Sequence, residues 1–416
     1  MELTVKRRPK PKPAGNLPPA ASSAKYWAKL YLSSTRVTPG PGQPPWVSTW
    51  RNVYSGCRTA QFARVERTDG RSRYCDVTRV VLTWSADDQE MSLIRSHVRD
   101  AEIVTTPRRA YMGQYECSPE DLTAAARDAD VLMGWAVIPR QALESARSLR
   151  FIGWLHAGCD ELDLEALRAR GIQVSNVSGA NAIPVAEQAF ALLLALAKRV
   201  VGNNRDLVET RWSPLWDRQG ASVELAGSTL AVIGLGRVGE EVAKRAKGFD
   251  MRVLGIKRDI AHHRGNADQV HSPDRLLEVL AEADFVVVTA PLTPETYHLI
   301  GEDQLRSMRR SAYLVNVSRG NTVHEGPLAK ALTEGWIAGF AADVWWDYPD
   351  AVPPSYHFAL PSRSNIHRMP SVVGSGDKAA NTLKVKDRMI ELGAESVAAF
   401  LAGKVPPRLV DLVKGY

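Results

Sequence analysis

The sequence predicts an α/β fold of two doubly wound parallel sheets, preceded by a disordered extension. Three observations predict it. Short apolar, β-branched runs alternate with helical stretches from Arg79 onward, and the alternation starts afresh between Thr229 and Asp343. Within the second alternation a glycine turn joins a buried strand to a helix.

The extension covers residues 1–77. Lys6-Arg7-Arg8-Pro9-Lys10-Pro11-Lys12-Pro13 and Pro39-Gly40-Pro41-Gly42-Gln43-Pro44-Pro45 sustain neither helix nor sheet ladders, because proline removes the amide donors. Trp27, Trp46 and Trp50 are unusual for a solvated tail. The first alternation then gives strands at Val80–Trp84, Glu102–Thr105, Val131–Gly134, Phe151–His156 and Ile172–Val174. Helices are expected at Glu90–Val98, Pro119–Ala126 and Pro139–Ser148. Asn181–Val201 reads as one long helix, apolar on most faces, that crosses between domains and packs on something apolar such as a second subunit.

The second alternation places strands at Thr229–Gly234, Arg252–Ile256, Phe285–Thr289, Tyr313–Val317 and Ile337–Ala342, with helices at Leu276–Ala281 and Gly326–Thr333. Asp387–Ala402 is the helix that returns the chain to the first domain. The glycine turn is Gly234-Leu235-Gly236-Arg237-Val238-Gly239. In such a turn the first glycine bends the chain and the second lets backbone approach phosphate oxygens. The third lets the helix, here Glu240–Lys247, pack close to its strand. The helix then points its unpaired N-terminal amides at a dinucleotide pyrophosphate.

The net charge of +7 suggests nucleic acid only until it is divided along the chain. Residues 1–77 hold 14 Lys+Arg against 4 Asp+Glu, whereas the remainder is slightly acidic with 39 against 42. A nucleic-acid partner is therefore not expected, and neither is a membrane span, since Ala189–Ala197 is the strongest apolar run and is too short. Cys57, Cys75, Cys117 and Cys159 show no pairing typical of zinc or of a disulfide framework, so no metal and a reducing cytoplasm are expected.

The order of motifs resembles the D-2-hydroxyacid dehydrogenase family, which includes formate, phosphoglycerate and glyoxylate/hydroxypyruvate enzymes. The resemblance runs from Arg79 to Tyr416 and is carried by His156-Ala157-Gly158-Cys159-Asp160, Gly179–Glu187, the glycine turn, Ala290–Thr296, Asn316-Val317-Ser318-Arg319-Gly320 and Ala341–Trp346. It implies a flavodoxin-like substrate domain over 78–182 plus 377–416, and a Rossmann coenzyme domain over 183–376. It implies a homodimer formed through the helix after Asn181, and hydride transfer between a nicotinamide dinucleotide and the 2-carbon of a small 2-oxo or 2-hydroxy acid. Arg319 matches the arginine that grips the substrate; a guanidinium fork suits a carboxylate and carbonyl in one plane. Ala157 and Gly158 would add backbone donors, and Asn181 either touches substrate or caps its helix. Asp343 matches a position near the nicotinamide carboxamide, or else ends its strand as a turn residue. The resemblance gives further coenzyme contacts to Gly234, Gly236, Arg237, Val238, Gly239, Ala290, Pro291, Thr296, Val317, Ser318 and Arg319.

Lys257 and Arg258 stand where members that prefer NAD carry an acid for the ribose hydroxyls. Two cations attract a 2′-phosphate, so NADP(H) is expected, with NAD(H) the alternative and a surface position without adenosine contact the plain one. Two expected catalytic groups are missing. The family's glutamate position holds Tyr348, and Asp377 (or Ser371, in a shifted alignment) stands where its histidine belongs. Substitute proton carriers are Asp377, Tyr348 and His156, each with a plain alternative: helix cap, loop packing and satisfied strand-end histidine. His324, His357 and His367 rank behind them. Trp345 and Trp346 either exclude water or pack the core. The expected function is thus a 2-hydroxyacid dehydrogenase or reductase. The rival is a catalytically impaired dinucleotide-binding sensor or scaffold of the same fold.

Overall fold

The computed structural model describes residues 77–109, 116–212, 221–261, 265–347 and 361–416. The expected extension, apart from Val77, lies outside the described residues, as do Tyr348 and His357.

The first sheet contains β1 (Arg79–Leu82), β2 (Glu102–Thr105), β3 (Val131–Gly134), β4 (Phe151–Trp154) and β5 (Gln173–Ser175). All neighbours are parallel, in the order β2-β1-β3-β4-β5. Strict alternation decides which side chain faces which layer. Val81, Leu132, Ile152 and Val174 meet α2 (Pro119–Ala126), α3 (Arg140–Ser145) and α4 (Leu164–Ala169). Val80, Leu82, Val131, Met133 and Phe151 meet α1 (Asp88–His97) and the closing helix α11 (Leu383–Leu401). The chain's last long helix thus returns to the first sheet, as expected, and starts four residues earlier than expected, capped by the Thr382 hydroxyl.

The second sheet has seven strands in the order β12-β11-β10-β9-β6-β7-β8, again all parallel. They are β6 (Thr229–Ile233), β7 (Arg252–Ile256), β8 (Gln269–His271), β9 (Phe285–Val288), β10 (Tyr313–Asn316), β11 (Gly339–Ala342) and β12 (Val372–Gly374). One face packs α5 (Ala182–Ala197) and α7 (Arg237–Lys247) on Leu230, Val232, Phe285 and Val315. The other packs α8 (Leu276–Glu282), α9 (Glu302–Ser307) and α10 (Glu325–Glu334) on Ala231, Ile233, Val286 and Leu314.

The expected single helix over Asn181–Val201 is corrected to two. α5 ends at Ala197, Arg199 turns left-handed at φ 53°, and α6 (Val200–Val208) sets off in a new direction. The apolar surface on which α5 packs is the second sheet, whereas α6 buries none of its residues. Among the described residues no helix is long and apolar enough to cross a membrane.

Candidate active site

The strand order of the second sheet reverses between β6 and β9, and open α/β sheets bind ligands beyond the carboxyl ends of their strands at such a point. The glycine turn sits there. Gly234 takes φ +106°, a conformation that other residues rarely adopt, and a Cβ on it would stand 2.6 Å from the Ala290 amide nitrogen. Thr289 Oγ1 ties the two loops by donating to the Gly234 carbonyl at 2.7 Å. A Cβ on Gly239 would meet the Gly234 carbonyl oxygen at 2.3 Å, so only glycine lets α7 start this close to β6. Gly236 is the opposite case: a Cβ there meets nothing within 4 Å. A bare backbone therefore faces open space at the N-terminus of an 11-residue helix, whose first amides lack intrahelical acceptors. These residues fit a pyrophosphate. Val238 sits in the same first turn, while the side chain of Arg237 runs from that turn toward Gly179, where a Cβ would lie 2.6 Å from Arg237 Cδ.

The neighbouring coenzyme candidates line the same strand ends. Ala290 is buried beside Gly234. Thr296 does not project freely: its Oγ1 donates to the Pro291 carbonyl at 2.6 Å and accepts from the Thr293 amide at 2.7 Å, which closes the 291–296 loop on itself. Val317 follows β10 and donates to the Val288 carbonyl. Lys257 and Arg258 leave the end of β7, with Arg258 exposed and its Cζ 4.6 Å from the Tyr416 ring centre.

Arg319 is held by a small polar network just beyond β10. Fully buried Asn316 donates to the Arg319 carbonyl at 2.9 Å and accepts from the amide and hydroxyl of Ser318 at 3.0 and 2.8 Å. Thr322 Oγ1 donates to the same carbonyl at 2.7 Å. The guanidinium then reaches the loop after β4, where its Nε donates to Asp160 Oδ2 at 3.0 Å. Gly158 makes room for it: a Cβ there would lie 2.6 Å from Arg319 Nη2. That loop is fixed by Asn176 on the Ala157 carbonyl (2.9 Å) and by Trp154 Nε1 on the Gly158 carbonyl (2.8 Å). Within it, burial pushes the Cys159 thiol up to about 11, so it is no nucleophile near neutral pH.

Asp343 and Asp377 lie where the chain crosses back to the first sheet. Buried Asp343 accepts from Ser375 Oγ at 2.6 Å, Lys378 N at 3.0 Å and Ala379 N at 2.8 Å. Asp377 adopts φ 54° and donates its amide to the Asp343 carbonyl at 2.7 Å. The residue as a whole is exposed, yet protein packed around its carboxyl pushes that group above the usual carboxylate range. The negative charge of Asp343 adds to the rise, while Arg319 and Lys378 oppose it. Asp377 caps no helix, since that place belongs to Thr382. Asn181 makes no side-chain cap bond either, and its buried Oδ1 has no partner among the described residues.

The remaining candidates sit differently. The ring of His156 packs on Trp154, and its Nε2 lies 3.1 Å from the Trp135 carbonyl oxygen, which occupies that nitrogen. Trp345 and Trp346 spend their indole N–H groups on the carbonyls of Ser375 and Val323, and Trp345 belongs to the core below the site. His367 packs edge-on against Trp345, and His324 stacks on His298. Sequence reasoning missed Asn316, Thr322, Asp160 and Ser375, all of which position other groups through hydrogen bonds. The short polar cluster of Asn316, Ser318 and Thr322 around the arginine was the available signal.

Comparison with known proteins agrees with this geometry. Residues 190–374 match the model of the D-isomer specific 2-hydroxyacid dehydrogenase, NAD binding domain. A glyoxylate reductase of Korarchaeum cryptofilum is 38% identical over 291 residues, which span 68% of this chain and 83% of that protein. The chain belongs to the D-isomer-specific 2-hydroxyacid dehydrogenase family. A glyoxylate reductase of Thermococcus gammatolerans aligns over more of its length, 34% identical across 80% of this chain and 96% of the relative. Among solved structures, a D-isomer specific 2-hydroxyacid dehydrogenase family protein of Aeromonas salmonicida superposes with a TM-score of 0.67 at 25% identity, covering 80% of this chain and 99% of that one. This family member is accordingly an oxidoreductase acting on CH–OH groups, with a nicotinamide dinucleotide as its coenzyme.

Proposed function

We propose that the protein is an NADP(H)-linked reductase of small 2-oxo acids. The observation that carries this reading is Arg319, fixed by Asn316 and Thr322 at the end of one sheet and braced by Asp160 from the other. Residues 183–376 hold the coenzyme in this reading, and residues 78–182 with 377–416 complete the substrate side. The α7 N-terminus and the bare Gly236 backbone bind the pyrophosphate, while Lys257 and Arg258 attract the 2′-phosphate. When bound, the coenzyme supplies a hydride to the 2-carbon of the oxo acid.

Arg319 binds the carboxylate and the carbonyl oxygen together and stabilises the negative charge that grows on that oxygen. Gly158 lies beside it and Ala157 precedes Gly158 in the same loop, and the Asn181 Oδ1, which has no partner among the described residues, is left to accept from a bound donor. Asp377 is the proton source. Its raised pKa keeps the carboxyl protonated further up the pH scale, and its exposure lets solvent restore the proton after transfer to the substrate oxygen. His156 is a weaker candidate because its Nε2 is occupied by a backbone carbonyl. The names of the relatives favour a two-carbon substrate such as glyoxylate. A homodimer is part of the proposal, supported by the exposed apolar residues Val200, Val201, Leu207 and Val208 of α6. A sedimentation mass of one chain would remove that element.

The test is NADPH oxidation with glyoxylate, hydroxypyruvate, pyruvate and longer 2-oxo acids. Arg319→Ala is expected to lower kcat/KM by about 100-fold or more, the equivalent of two charge-assisted hydrogen bonds, and Arg319→Lys restores little of it. Coenzyme binding without turnover, indifferent to Arg319→Ala, would favour the sensor or scaffold reading.

A further inference from the structure

After α11 the chain turns back along β5, where Leu409 bridges Ser175 antiparallel and Val410 N donates to the Val174 carbonyl at 2.8 Å. It then folds into a tight turn. The Asp411 carboxylate accepts from the amides of Val413 and Lys414 at 2.9 and 3.2 Å, and the Asp411 amide donates to the Tyr416 carbonyl at 3.2 Å. This turn carries Tyr416 from the first sheet to the end of β7 in the second, and sets its ring 4.6 Å from Arg258 Cζ. The segment also walls a cavity of about 540 Å³, together with α4 and the Leu292–Pro294 stretch of the coenzyme loop.

A guanidinium has two recognition surfaces. Its face takes an aromatic ring, and its N–H edge takes a phosphate. Tyr416 occupies the face, and the Arg258 edge makes no hydrogen bond or ion pair among the described residues. We propose that Tyr416 is a positioning residue for 2′-phosphate recognition: it restricts the long Arg258 side chain to the rotamers whose edge meets the phosphate, and it does so from the opposite sheet. Glu295, whose carboxyl is held low chiefly by the Thr293 hydroxyl and slightly by Arg258, and Asp259, the next residue in the chain after Arg258, are negative charges that oppose an incoming phosphate. Pre-ordering Arg258 offsets that repulsion. The proposal rests on the reading that Lys257 and Arg258 select NADP(H).

Calorimetric titration of the full chain separates the two ideas, using adenosine 2′-monophosphate, adenosine 5′-monophosphate, NADPH and NADH. Tyr416→Ala is expected to weaken 2′-monophosphate and NADPH binding roughly two- to five-fold, the range for an exposed cation–aromatic contact, and to leave NADH alone. Tyr416→Phe, which keeps the ring, should bind as the parent does. Arg258→Ala should cost on the order of ten-fold for the 2′-phosphorylated probes. A preference for them that is undiminished in Tyr416→Ala, or an equal loss for NADH and NADPH, overturns the Tyr416 proposal alone. A parent chain without any preference for the 2′-phosphate overturns the Lys257–Arg258 reading and this proposal with it.

Discussion

Asp377 is the proposed proton source, and its surroundings change what a carboxyl does there. Crowding by protein and the charge of Asp343 both disfavour its anion, so its pKa lies above the ordinary carboxylate value. Reduction needs the protonated form. The rate should therefore be full below the raised pKa and fall as pH rises through it, with the oxidation direction showing the reverse dependence. Asp377→Asn should lower the reduction kcat by about 10²–10⁴-fold and abolish that alkaline limb, which a pH profile of kcat reads directly. The same shift has a sign for stability: a carboxyl with a raised folded-state pKa destabilises the fold as pH rises past its unfolded value, so Asp377→Asn should not lower Tm near neutral pH. An unchanged limb in the variant would remove Asp377 from proton transfer. At this scale the sequence displayed Arg319 through its Asn-x-Ser-Arg-Gly setting. It did not display Asp160 as the brace of Arg319, because the two are 159 positions apart and meet only through the fold.

The glycine turn shows what an element imposes. Gly239 is required by packing, since a Cβ would stand 2.3 Å from a backbone oxygen that cannot move aside; Gly236 is not, because its surroundings are open. Gly239→Ala should cost about 1–3 kcal/mol of stability by overpacking, whereas Gly236→Ala should leave Tm unchanged and still weaken dinucleotide binding by blocking the approach of phosphate to the backbone. Denaturation and NADPH titration of both variants check this, and a Gly236→Ala chain that binds normally would move the phosphate elsewhere. This turn was legible because strand, glycines and helix are adjacent in sequence. Other elements were not. The break between α5 and α6 falls at Lys198-Arg199, with neither glycine nor proline to mark it, and Arg199 takes the left-handed conformation between a helix buried on the second sheet and one that buries no residue. β8, α4 and α9 are too short, at three, six and six residues, to show a period that distinguishes them from loops.

At the scale of the whole molecule, two crossings join the sheets, and each is tied by a long-range contact. Arg388 of α11 donates to the Ala180 carbonyl at 2.8 Å at the first crossing, and Gln188 of α5 donates to Ser375 Oγ at 2.8 Å at the second. The Ser375 hydroxyl in turn donates to Asp343, whose carboxylate also accepts from the amides of Lys378 and Ala379. A single buried carboxylate thus ties the path of the returning chain and, through its charge, adds to the burial that raises the Asp377 pKa. Asp343→Asn keeps the shape but has only one oxygen for three donors. It should cost about 1–3 kcal/mol for the donors left unsatisfied, several degrees in Tm. It should also remove a negative neighbour from Asp377, so that the alkaline limb of the reduction rate moves to lower pH. Both shifts must appear together. A loss of Tm with an unmoved limb would make Asp343 a structural tie alone, and would leave protein crowding as the main cause of the raised Asp377 pKa.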